Sequence, residues 1–140
     1  LYRASQAGVP IDLSVRGICG LRPGLPGVSE TIRVSSIVGR FLEHTRILAF
    51  TVGDETTYWI GSADMMVRNL DSRVEAFTPV EDPLAREELA AILAMCREDT
   101  ELSWTLSADG TWSRVDAGGG TAVNAHDALM ARAVAASRHP

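Results

Sequence analysis

The sequence contains no lysine; all 13 of its basic residues are arginine. It has only two cysteines, Cys19 and Cys96, which cannot make a disulfide framework, and no Cys/His spacing suggests a metal site. A reducing, cytoplasmic setting follows from that sparse cysteine use. No stretch reaches the run of about 18 apolar residues that a membrane-crossing helix requires. The front of the chain has no signal-peptide pattern. Charged residues make up 22% of the chain, too ordinary a share for a disordered polymer.

What is present is enough for a folded domain: 140 residues, 46% of them hydrophobic. The first residues, LYRASQAG, lack a methionine and read as the last turns of a helix ending at Gly8, where glycine accepts positive φ. On that ground the chain is expected to be part of a longer protein. The net charge of −5 is unevenly spread. Residues 1–50 hold six arginines against Asp12, Glu30 and Glu43, whereas from Val74 onward five arginines face eleven acids. The acidic second half argues against nucleic acid as a partner. The early arginines suit phosphate, whose oxygens a guanidinium fork can bond two at a time.

Residues 10–18 (PIDLSVRGI) alternate apolar and polar side chains, so a strand is expected with Arg16 at its C-terminal end. Ligands of α/β sheets sit beyond such ends. Gly17, Gly20, Gly24 and Gly27, with two prolines, give a loop of fixed path but no P-loop pattern. A strand from Ile32 to Val38 is followed by GRFLEH (39–44), read as a turn or one helical turn. Ile47 to Val52 is expected as a buried strand, with Gly53-Asp54-Glu55 as the hairpin turn and Thr57 to Ile60 returning. Gly61-Ser62-Ala63-Asp64 then turns into an irregular segment through Arg73, followed by a short strand at 74–78.

Asp82-Pro83 starts the clearest helix, with an acid at the N-cap and proline first; Leu84, Leu89, Ile92, Leu93 and Cys96 form its apolar face up to about Arg97. Ala108-Asp109-Gly110 predicts a hairpin, with Trp104 and Trp112 lying across it as packing residues. A Gly-rich link at 117–120 leads to a helix from Asn124, on which His126 and His139 are expected to be solvated. Met65 and Met66 are expected as gap-filling core.

His44-Thr45-Arg46, a strand, and later Gly61-Ser62-Ala63-Asp64 resemble the half-site of the phospholipase D superfamily. That family has His-x-Lys before a strand and Gly-Ser-x-Asn after the next; here Arg46 replaces the lysine and Asp64 the asparagine. More specifically, VRGICGLRPGLPGVSETIRVSSIVGRFLEHTRI and GSADMMVRNLDSRVE are similar to the C-terminal catalytic domain of the bacterial polyphosphate kinase family. The similarity runs from Leu1 to about Leu93, and after Asp99 only the Asp-Gly hairpin matches.

The resemblance implies an α/β fold, a phospholipase D-like mixed β-sheet flanked by helices and forming a single half-domain. Residues 1–116 would be that half-domain, and 117–140 a link and terminal helix. It implies reversible transfer of ATP's terminal phosphate to polyphosphate through a phosphohistidine in an upstream domain, where the magnesium ligands also lie; no metal residue is assigned here. Arg16 and His44 would contact ATP or ADP phosphates, His44 also as general acid/base. Arg22, Arg33, Arg40, Arg46, Arg68 and Arg73 are candidates for the polyphosphate path, some of them paired instead with Asp64, Asp71 or Glu75. The remaining polypeptide and further copies of it would be partners, in a cytoplasmic setting with or without membrane association. Two other readings are a phospholipase D-type phosphodiesterase pairing two copies of His44, and a non-catalytic polyanion-binding module.

Overall fold

The computed structural model describes residues 1–137. The expectation for His139 lies outside them. In chain order the elements are α1 (Tyr2–Gln6), β1 (Ile11–Ser14), β2 (Ile32–Ile37), β3 (Ile47–Val52), β4 (Glu55–Gly61), α2 (Val67–Ser72), β5 (Phe77–Val80), α3 (Pro83–Glu98), β6 (Ser103–Leu106), β7 (Trp112–Arg114) and α4 (Ala125–Ala136). They fall into two compact units, one of residues 1–43 and 95–140, the other of 44–94. The α/β expectation holds. Its strands are shared between a mixed four-stranded sheet and an antiparallel three-stranded one.

The first unit is organised on β2. This strand pairs in parallel with β1 and antiparallel with β6, and β7 completes the order β1-β2-β6-β7. As a central strand it buries Ile32, Val34 and Ile37 almost completely; burying such side chains stabilises by about 1.5–3 kcal/mol each. The loop before β2 does follow a fixed path, and the reason is Ser29. Its buried hydroxyl donates to the Arg22 carbonyl at 2.6 Å and accepts from Leu25 N at 3.0 Å. Gly24 takes φ +68°, open to glycine at low cost. Arg16 lies two residues beyond the last residue of β1. The Asp-Gly hairpin forms between β6 and β7, with Trp104 opposite Arg114 and Trp112 opposite Leu106 on either side of the turn.

The second unit carries the order β3-β4-β5. The turn at Gly53-Asp54 sets Val52 against Glu55 and Ile47 against Ile60. β3 is not the buried strand expected from its apolar run: Phe50 is 55% and Val52 81% exposed, because β3 is an edge of its sheet. The segment expected to be irregular contains α2, whose start lacks a capping side chain and therefore a sequence signal. The short strand is β5, three residues later than expected. Ala76 is held by Ser62 instead: Ser62 N donates to the Ala76 carbonyl (3.1 Å) and Ala76 N to Ser62 Oγ (3.2 Å). Residues 39–44 form no helical turn. α3 starts as expected, Asp82 Oδ1 accepting from Ala85 N at 2.8 Å, although Leu84 is exposed rather than part of its packed face.

Candidate functional site

The hairpin of β3 and β4 assembles the first cluster. Its register continues one pair past the strand: Gly61 N donates to the Arg46 carbonyl at 3.1 Å. That places the residues before β3 beside the turn after β4, so the two ends of the His-x-Arg and Gly-Ser-x-Asp stretches meet. Arg46 binds Asp64 Oδ1 through Nη2 (3.0 Å) and Nε (3.2 Å). Its remaining terminal nitrogen, Nη1, lies 2.7 Å from Nδ1 and 3.2 Å from Nε2 of His44, and 3.1 Å from the His44 carbonyl. A guanidinium only donates, and both ring nitrogens of His44 lie within reach of Nη1. Arg46 is thus fixed by Asp64 and in turn orients His44, whose ring is exposed.

A second cluster lies on the same turn. Ser62 Oγ donates to Glu75 Oε2, Asn69 Nδ2 donates to Glu75 Oε1 at 3.1 Å, and Arg73 Nε reaches Oε1 at 3.5 Å. The Ser62 hydroxyl, then Asn69, and then the charges of Arg73 and Arg46 hold the Glu75 carboxyl below its ordinary value, against the opposing effect of burial. Asn69 is buried, and its Oδ1 has no partner among the described residues. Gly61, which leads into both clusters, admits no side chain: a Cβ there would collide with the Phe77 ring across the β4–β5 ladder. Sequence reasoning treated Glu75 only as a partner for arginine and did not single out Asn69. The serine of the Gly-Ser-Ala-Asp turn was the available signal, since a hydroxyl fixed beside a strand end needs an acceptor.

The other arginines are dispersed. Arg73 is committed to Glu75. The Arg40 guanidinium lies 5.3 Å from the centre of the Phe41 ring. Arg33 stands on the exposed side of β2, in register with Asp12 of β1. Arg22 donates its backbone N–H to the Tyr2 hydroxyl at 3.0 Å. Arg16 and Arg68 are exposed.

One expectation is overturned in the first unit. His126 is not solvated: it is 3% exposed, its Nε2 lies 2.8 Å from Glu43 Oε1, and Phe41 N donates to its Nδ1 at 3.5 Å. The cause is the buried start of α4. Asp99 accepts from Leu102 N through Oδ1 and from Ala125 N through Oδ2, both at 2.7 Å, and Asn124 caps the helix by accepting from Asp127 N. These bonds draw the first turn of α4 inward. Cys96 is half-buried, its thiol pushed up to about 11 by burial first and then by the negative charges of Glu43 and Asp99. Both cysteines are free.

Fold and clusters together define an α/β domain whose polar site is assembled at the open end of an antiparallel hairpin. The family described as polyphosphate kinase C-terminal domain 2 matches residues 1–126, and the chain belongs to it. Among its relatives, the polyphosphate kinase of Streptomyces coelicolor is 54% identical over 131 residues, which is 92% of this chain and 18% of that protein. The polyphosphate kinase of Thermosynechococcus vestitus is 54% identical over 133 residues, 94% of this chain and 18% of the relative. The crystal structure of polyphosphate kinase from Porphyromonas gingivalis superposes with a TM-score of 0.91 at 38% identity, covering 100% of this chain and 22% of that one. The chain therefore spans about a fifth of the length of the proteins it matches.

Proposed function

We propose that this chain supplies phosphate-binding residues to an ATP:polyphosphate phosphotransferase that works reversibly through a phosphohistidine elsewhere in a longer polypeptide. The observation that carries the reading is the arrangement at Arg46, which donates to His44 while fixed on Asp64. A migrating phosphoryl group spreads charge over its oxygens, and catalysis consists mainly of holding and neutralising it. In the second unit His44, held beside the Arg46 guanidinium, presents an exposed ring able to donate to a phosphate oxygen. In the first unit Arg16, charged at any working pH, can bond two oxygens. The remaining candidates, Arg22, Arg33, Arg40, Arg46, Arg68 and Arg73, would meet polyphosphate rather than nucleotide; Arg46 and Arg73 would first have to leave their carboxylates.

Magnesium accompanies ATP in this reading and would screen its phosphate charge. Among the described residues no group of three or more His, Cys, Asp or Glu is placed to hold a metal ion. The share this proposal gives the chain is to bind and orient phosphate. A cytoplasmic, homo-oligomeric enzyme and a terminal segment 117–140 distinct from the catalytic half-domain belong to the same proposal. The test is calorimetric titration of the folded chain with Mg-ATP and with short polyphosphate, beside Arg16→Ala and His44→Ala. Binding weakened in both variants is expected. A folded wild-type chain that binds neither ligand would sink the claim that these residues hold phosphate by themselves.

A further inference from the structure

The segment 38–46 has neither helix nor strand, yet it delivers His44 to the site. Its first half, residues 39–43, packs on one buried ring. The His126 imidazole meets the segment at three alternate residues. At Gly39 the backbone lies so close that a Cβ would sit 2.8 Å from Nδ1 and 2.9 Å from Cε1. At Phe41 the N–H points to Nδ1, and the two rings lie 5.4 Å apart at 56°. At Glu43 the carboxylate accepts a hydrogen bond from Nε2–H at 2.8 Å. The chain passes from the first unit to the second at the next peptide bond, between Glu43 and His44.

We propose that His126 is a positioning residue for His44, acting through Glu43 and the backbone at Phe41. An imidazole fits this role for a chemical reason. In its neutral form it offers a donor at one nitrogen and an acceptor at the other, and here these meet a carboxylate and a backbone N–H. An aliphatic side chain could fill the space but satisfy neither. The inference rests on the reading of His44 as a phosphate contact, though its structural half stands apart from that reading.

The experiment has two arms. In the 140-residue chain, the His44 ring signals and the amides of residues 39–46 are followed by NMR in wild type, His126→Ala, Glu43→Ala, the double variant and Glu43→Gln. His126→Ala and Glu43→Ala should move the same set of signals, with no further change in the double variant. The α3 and β3–β4 amides should stay in place, and Glu43→Gln, which keeps an acceptor for Nε2–H, should stay near wild type. In the complete enzyme carrying this domain, His126→Ala and Glu43→Ala should each raise KM for ATP roughly tenfold or more per folded molecule, as misplacement of a contact group does, while Glu43→Gln should keep KM near wild type. A purely structural histidine would lower the yield of folded enzyme and leave KM alone; that result overturns the proposal, as do unmoved His44 signals in a folded His126→Ala chain. His44→Ala is the separate control. Unchanged KM and kcat in that variant would remove the phosphate reading while leaving the NMR arm to judge the anchor.

Discussion

Glu43 Oε1 and His126 Nε2 lie 2.8 Å apart although 83 residues separate them in the chain. The pair joins the end of an irregular segment to the buried first turn of α4. It also explains why position 39 is glycine, since the backbone there runs against the imidazole and the Leu102 side chain.

Gly39→Ala should therefore destabilise the chain through lack of space, not through backbone conformation. The new Cβ would sit 2.7 Å from Leu102 Cδ1 and 2.8 Å from His126 Nδ1. Overpacking of this kind costs about 1–3 kcal/mol. Urea unfolding should show a lowered midpoint with an unchanged slope, and a midpoint equal to wild type would mean that the imidazole gives way freely.

A second glycine has a different neighbour. Gly61→Ala should be damaging because its Cβ would strike the Phe77 ring. Combining it with Phe77→Ala should cost less than the sum of the two single changes, since the smaller residue removes the collision. Thermal unfolding of the four proteins of this cycle measures the coupling. Strict additivity would refute the contact as the reason for glycine.

Cys96 should be slow to react. With its thiol at about 11, roughly one molecule in a thousand carries the thiolate at pH 8, and the thiolate is the nucleophile. Alkylation followed by peptide mass spectrometry should leave Cys96 unmodified in the folded chain, while a urea-denatured control is labelled at both cysteines. Rapid labelling of Cys96 under native conditions would contradict the burial argued for it.

The Glu75 cluster predicts a pH dependence. The folded-state carboxyl is held below the ordinary value of 4.5, chiefly by the Ser62 hydroxyl. The unfolded chain therefore binds this proton more readily, and the carboxylate's contribution is full above that ordinary value and lost as pH falls through the folded one. The stability difference between wild type and Glu75→Gln should be constant from neutrality down to about pH 5 and shrink below it. A difference that instead grows on acidification would reverse the sign of the argument.

Much of this molecule was legible from the chain alone. The β3–β4 and β6–β7 hairpins, the Asp82 cap of α3 and the Asn124 start of α4 rest on hydrogen bonds and turn conformations that span a few residues. Short windows of sequence therefore contain all the physics required. The His-x-Arg and Gly-Ser-x-Asp stretches, and with them the family, were visible for the same reason. Tertiary structure alone decided that Arg46 serves both Asp64 and His44, that Glu75 and Ala76 are held by Ser62 in place of a strand ladder, and that His126 is buried. A histidine in the first turn of a helix reads as solvated when only its neighbours in sequence are considered. Its burial depends on a carboxylate 83 residues and a backbone N–H 85 residues earlier in the chain, and no local periodicity encodes the partner of a polar side chain.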